Sequence, residues 1–194
     1  MSKTKFLAAF LLIFLGVAGR IFIVEFVQIP NLEIITSFSL IAGAMLGGIF
    51  TFLVPLSIIA ITDMYLGNAI ILIFTWSAFA VIGIFGWFLR KRKKINYRFI
   101  VEMTGMGIFS SLFFYLYTNF GWWLLTNIYP HTWQGLIQCY FMGLPFLKTN
   151  LLGNLFFVPI FSGLSLLVWK YYPIFKFKIH SIAPLKEKLV SSKK

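Results

Sequence analysis

The stretch AIILIFTWSAFAVIGIFGWFLRKRKKINYRFIVEMTGMGIFSSLFFYLYTNF, residues 69–120, decides the fold. Two apolar runs, Ala69 to Leu89 and Phe99 to Phe120, flank a loop that gathers Arg90, Lys91, Arg92, Lys93, Lys94 and Arg98. Each run reaches the roughly 20 apolar residues that a helix needs to cross the hydrocarbon core of a bilayer. Lipid offers no water to backbone N–H and C=O groups, so such a run must satisfy them internally, as a helix does. The stretch therefore reads as two membrane helices joined by a cationic turn.

Working outward, the rest of the chain repeats this pattern. Of 194 residues, 60% are hydrophobic and only 11% charged, and the mean hydropathy is +0.90. A soluble domain has too little polar surface at that composition, which makes the bilayer its solvent. Four more runs qualify as spans: Phe6 to Val24, Asn31 to Gly47, Ile49 to Leu66 and Leu151 to Trp169. The second is short, begins just after Pro30, and is separated from the third only by Gly47 and Gly48, so the pair reads as a tight helical hairpin. The expected fold is an all-α integral membrane protein, a six-transmembrane-helix bundle in one domain over residues 1–172. Residues 121–150 form an outer lid and 173–194 a basic cytoplasmic tail. The start KTKFLAAFLLIFLGVAG has the form of a signal peptide, but its apolar run continues through Ile21, Phe22, Ile23 and Val24, long enough to be retained as the first span.

The formal net charge is +12, and its placement excludes a nucleic-acid surface. Lys3 and Lys5, the loop after the fourth span and the lysines from Lys170 to Lys194 hold 15 of the 17 basic residues. With six spans all three clusters fall on one side, which the positive-inside rule assigns to the cytoplasm. Both termini are then cytoplasmic and the chain is multi-pass in the inner (cytoplasmic) membrane. The basic loop reads as a topology anchor beside anionic headgroups or as a lipid patch. Cys139 is the single cysteine; it permits no internal disulfide, and no pattern of metal ligands accompanies it. No metal or cofactor is expected.

Ionisable groups inside spans cost about 2.5–3.5 kcal/mol on insertion scales, so each needs a partner or a task. Arg20, Glu33, Asp63 and Glu102 are the candidates. Glu102 lies beside the basic loop and reads as structural. Asp63, near the outer end of the third span, is expected either to pair with Arg20, to bind a ligand, or to do both. Between Pro130 and the Gly143/Pro145 pair, Trp133, Leu136, Ile137, Tyr140, Phe141 and Leu144 recur at helical spacing, one face of an amphipathic helix. Gln134, Gln138 and Cys139 occupy its other face. Its aromatic residues, with Trp122 and Trp123, fit either an interfacial belt or the walls of a pocket. Asn119, Asn127, His131, Gln134, Gln138, Asn150 and Asn154 supply directional donors and acceptors near one mouth, as small-molecule pockets require.

Two stretches then carry a resemblance. GRIFIVEFVQIPNLEIITSFSLIAGAMLGGIFTFLVPLSIIAITDMYLGN and YTNFGWWLLTNIYPHTWQGLIQCYFMGLPFLKTNLLGNLFF together resemble a family of bacterial transport proteins. That family is similar to the substrate-binding S-components of energy-coupling-factor (ECF) vitamin transporters. The resemblance rests on Arg20, Pro30-Asn31, the small-residue hairpin, Pro55, Asp63 and Leu66-Gly67. In the second stretch it rests on Asn119-Phe120, Trp122, Tyr129-Pro130, Gly135-Leu136, Cys139-Tyr140 and Leu144-Pro145-Phe146. It implies a six-helix bundle that binds a micronutrient near the outer face, with Asn31, Asp63, Asn119, Trp122, Tyr129 and Gln134 at the pocket. It also implies a transmembrane coupling subunit and two ATPases as partners, besides membrane lipid. The Ala-xxx-Ala spacing of many members is absent from the first span, and Asn154 stands where members tend to carry Asp.

No Walker loop, GxSxG or HExxH motif occurs in the chain, so it is expected to be no enzyme and to hydrolyse no ATP. The expected function is a substrate-binding and translocation subunit for a small micronutrient. The alternatives are an intramembrane enzyme using Asp63, His131 and Cys139, and a membrane scaffold without transport.

Overall fold

The computed structural model describes residues 3–67, 70–90 and 97–171. The described residues are helical, with no strand among them. Helix α1 spans Lys3–Phe22 and closes with a π-helical turn, Ile23–Val27. Helix α2, Ile35–Ile41, likewise continues into a π-helical turn, Ala42–Leu46. Then follow α3 (Phe50–Leu66), α4 (Leu72–Leu89), α5 (Tyr97–Leu125) and α6 (Trp133–Tyr171).

Four of these helical segments are long and apolar enough to cross a membrane: Lys3–Val27, Leu72–Leu89, Tyr97–Leu125 and Trp133–Lys170. The segments Ile35–Leu46 and Phe50–Leu66 are shorter. Apolar side chains point away from the bundle along much of its length, Phe10, Phe14, Ile73 and Phe156 among them. A protein surrounded by water rarely exposes such a continuous surface.

Helix α2 is the axis of the bundle. Every residue from Ile35 to Ile41 is buried, including Thr36, Ser37 and Ser39, and α1, α3, α4, α5 and α6 all pack on it. Small residues set the spacing. A Cβ at Gly86 would overlap the carbonyl oxygen of Leu40, one at Gly43 that of Gly83, and one at Gly83 that of Thr51. These glycines bring helices together within this chain, locking α4 against the α2–α3 hairpin. The hairpin reverses at Gly47 and Gly48, both with positive φ, which a side chain would resist.

One end of the bundle gathers cations. Lys5 Nζ donates to the Leu46 carbonyl at 3.0 Å, and the Arg90 guanidinium lies against Gly47. The first cluster and the start of the second thus share an end. Lys91 to Lys94 and the tail beyond Tyr171 lie outside the described residues.

The expected boundaries differ from the observed ones most between residues 121 and 150. No separate lid exists there: α5 runs on to Leu125 and α6 starts at Trp133, leaving only residues 126–132 outside the helices. The amphipathic helix and the sixth span are one rod of 39 residues. Gly143 and Pro145 do not stop it, because a proline removes one backbone bond and neighbouring helices tolerate the loss. Its expected apolar face also points the other way. Trp133, Ile137, Phe141 and Leu144 are exposed, while Gly135, Cys139, Gly143, Asn150, Asn154, Val158 and Ser162 are buried. From Cys139 to Val158 this ridge lies on α5: Cys139 and Gly143 meet Asn119, Asn154 meets Ser111 and Val158 meets Gly107, while Gly135 lies against the Pro130 carbonyl. Helices in lipid meet through small residues, since apolar side chains gain nothing by leaving it. At about 1.5 Å per residue, α5 and α6 extend about 43 and 58 Å along their paths, against about 30 Å of hydrocarbon. The second expected span also starts late, since residues 28–34 form a connection and the helix begins at Ile35.

Candidate functional site

A cavity of about 350 Å³ opens at the end away from Lys5 and Arg90, between α4, α5, α6 and the 28–34 connection. Its wall on α5 is Ser111, Phe114, Tyr115, Thr118, Asn119 and Trp122, each within one turn of the next. Helix α6 faces them with Cys139, Met142, Gly143, Phe146, Leu147 and Asn150. Ile71 and Thr75 of α4, Tyr129 of the α5–α6 connection and Asn31 complete the lining. The volume and the mixture of rings with scattered polar groups suit a small molecule.

Asn31 reaches the cavity through a turn its own neighbours dictate. Leu32 N–H bonds the Ile29 carbonyl at 3.2 Å, with Pro30 second in the turn and Asn31 third at φ 58°. Proline fixes the first corner, and asparagine tolerates the left-handed one. Thr149 of α6 donates its hydroxyl to the Pro30 carbonyl at 2.7 Å and pins the turn over the cavity.

Behind the cavity floor lies a polar network. Asn154 Nδ2 donates to Ser111 Oγ at 2.8 Å, to Asn150 Oδ1 at 3.2 Å and, more weakly, to Glu33 Oε1 at 3.5 Å. Glu33 Oε2 accepts from the Thr36 backbone N–H at 2.9 Å. The carboxylate thus caps the first turn of the buried α2, a position the helix dipole favours. Burial pushes the Glu33 carboxyl above the usual glutamate range, and the Thr36 and Ile35 donors and the Arg20 charge pull it back only in part.

Five of the nine expected site residues line the cavity: Asn31, Asn119, Trp122, Tyr129 and Asn150. Four do not. Asp63 lies beside it, with Oδ1 2.9 Å from Arg20 Nη1 and Oδ2 accepting from the Trp76 indole at 2.9 Å. Arg20 also donates to Thr62 Oγ1 at 2.6 Å. The guanidinium and the indole thus occupy both oxygens of this carboxylate, which is the paired arrangement rather than a ligand-facing one. His131 Nε2 lies 3.0 Å from the Trp123 carbonyl and 3.1 Å from that of Thr126, closing the C-terminus of α5, where the last carbonyls have no backbone donors. Gln134 and Gln138 are exposed, on the rotated face of α6 described above. The cavity residues that sequence reasoning missed are the hydroxyls of Thr75, Ser111, Tyr115 and Thr118. Their signal was present, as polar residues recurring inside apolar runs, but three of them also bond their own helix backbone. In sequence such a residue is indistinguishable from a purely local one.

Among the described residues no group of three or more His, Cys, Asp or Glu is placed to hold a metal ion. Cys139 Sγ contacts the Asn119 carbonyl at 3.4 Å. The hydroxyls of Tyr115 and Tyr140 cross between the two long helices to the Tyr140 carbonyl at 2.5 Å and the Leu116 carbonyl at 3.0 Å.

Fold and cavity together define a class: an all-helical bundle with membrane-length apolar helices and one neutral, ring-walled chamber near an end. Residues 1–175 match the family described as "Family of unknown function (DUF6580)", and the chain belongs to it. No curated protein and no solved structure matches the chain.

Proposed function

We propose that this chain is a membrane-embedded substrate-binding and translocation subunit that takes up a small micronutrient, as its resemblance to ECF S-components implies. In this reading all six helices sit in the inner membrane with both termini in the cytoplasm. The cavity then opens outward. A transmembrane coupling subunit and ATPases supply the energy that the chain lacks.

The observation that carries the proposal is the cavity itself, which opens at the end of the bundle opposite Lys5 and Arg90. A cation-rich end on the cytoplasmic side leaves the chamber facing the outside. The enzyme reading has less support, because Asp63, His131 and Cys139 occupy three different settings: an ion pair, a helix terminus and the cavity wall.

The test is purification of the protein in mild detergent, followed by mass spectrometry of what is released on denaturation. A stoichiometric, chemically unchanged small molecule is expected, and proteoliposomes carrying the chain with its coupling module should accumulate it. Recovery of a covalently converted product would replace uptake with catalysis. Repeated recovery of nothing, with no uptake by cells that express the chain, would leave a scaffold.

A further inference from the structure

Resting on that uptake reading, we infer that the solute is an uncharged, flat heterocycle with a hydrogen-bond donor toward one end and an acceptor toward the other, held between Asn119 and Asn150. Three observations lead there. First, no carboxylate, ammonium, guanidinium or imidazole lines the cavity among the described residues. Glu33 stands behind Asn154 and is engaged by the Thr36 N–H, and Asp63 is engaged by Arg20 and the Trp76 indole. A charged solute would leave water for a chamber with no counter-charge, which is costly.

Second, the polarity of two cavity-lining amides is fixed by their other bonds. Asn119 Nδ2 donates to the Tyr115 carbonyl at 2.8 Å, so its Oδ1 is left as an acceptor with no partner among the described residues. Gly143 lies opposite this oxygen; a Cβ there would come within 2.5 Å of it, so the glycine keeps its approach open. On the other side, Ser111 Oγ donates to the Gly107 carbonyl at 3.2 Å and must accept from Asn154. The Glu33 carboxylate also accepts from Asn154. Asn154 therefore presents its donors, Asn150 Oδ1 accepts one of them, and Asn150 Nδ2 remains a donor. Asn150 is only 5% exposed, and this donor has no partner among the described residues. Gly143, beside the Asn119 oxygen, and Asn150 are seven residues apart on α6, about 10 Å along its axis. One acceptor and one donor so separated complement a ligand that carries an N–H at one end and a carbonyl or ring-nitrogen acceptor at the other. An unmet donor or acceptor is costly, so a ligand lacking either group is disfavoured.

Third, the walls between the amides are rings. Phe114, Tyr115, Trp122 and Phe146 line the chamber, and aromatic faces favour a flat partner in offset or edge contact.

The experiment is equilibrium binding to the full chain in lipid nanodiscs, using matched pairs of probes. Uracil is compared with orotate and nicotinamide with nicotinate, and lumazine serves as a larger lactam. At least one uncharged probe is expected to bind saturably, with ionised counterparts at least about tenfold weaker. Asn119→Ala and Asn150→Ala should each weaken that binding about tenfold, the loss of one well-placed hydrogen bond. If Asn150→Ala fails to fold, Asn119→Ala and Gly143→Ala, which crowds the Asn119 oxygen, carry the comparison. An ionised probe that binds as tightly as its neutral partner, binding indifferent to these substitutions, or no binding by any probe overturns the assignment. Uptake of the same probes into proteoliposomes that carry the chain with its coupling module separates the two readings. Binding without uptake removes the carrier and keeps the ligand class, whereas uptake of an ionised solute keeps the carrier and removes the class.

Discussion

Asp63 shows how a single side chain can be placed by sequence and yet have its role decided only by geometry. Its cost inside an apolar run and the presence of Arg20 one span away suffice to pair them, but not to say whether a ligand shares the carboxylate. In the structure the Arg20 guanidinium and the Trp76 indole occupy its oxygens, and the Asp63 side chain is 3% exposed. Removing one partner of a buried pair leaves the other uncompensated, at about 3–5 kcal/mol. Asp63→Asn is therefore expected to lower thermal stability in detergent far more than Glu102→Gln, while leaving the affinity of folded protein for solute nearly unchanged. Comparable losses in both variants would show that the pair contributes little. His131→Ala should behave in the same sense with a smaller loss, about 1 kcal/mol for an unmet helix terminus, and no loss of binding. Asn119 and Asn150 were legible because an amide amid apolar residues has few bland explanations, whereas Asn31 was named only through the family resemblance. Gln134 and Gln138 misled because the same reasoning, applied to a helix whose rotation is unknown, cannot tell a chamber from the outside.

At the scale of elements, the existence and type of all six helices could be read from apolar runs, and the tight α2–α3 turn from Gly47 and Gly48. What could not be read was where α6 begins and which way it faces. In water the larger apolar face of an amphipathic helix turns inward, and Trp133, Ile137, Phe141 and Leu144 form such a face. Among helices in lipid that preference vanishes, and the small residues Cys139 and Gly143 take the contact with α5. Close approach is the property to test. Gly86→Ala places a methyl group on the Leu40 carbonyl oxygen, whereas Gly105 has nothing within 4 Å of an added Cβ. Gly86→Ala is expected to lower the unfolding temperature clearly and Gly105→Ala to leave it level or raise it slightly. Thermal scans of the two purified variants decide the matter, and equal behaviour would mean the helices part more easily than their geometry implies.

For the whole molecule, the proposed side of the membrane rests on charge, and the cation-rich end formed by Lys5 and Arg90 gives that proposal a physical location. A cysteine introduced at Asn127 should react with an impermeant maleimide added outside intact cells, and one at Lys93 only after the membrane is opened. The reverse pattern would invert the protein and put the cavity in the cytoplasm. The lengths of α5 and α6 carry one more implication. Rods of that reach overtop the oily layer, and the residues bounding the chamber belong to the half of α5 remote from the cations. A solute would then shed its hydration shell at headgroup depth rather than deep among acyl tails. Thicker host bilayers, which bring the lipid boundary up around the same residues, should slow its entry.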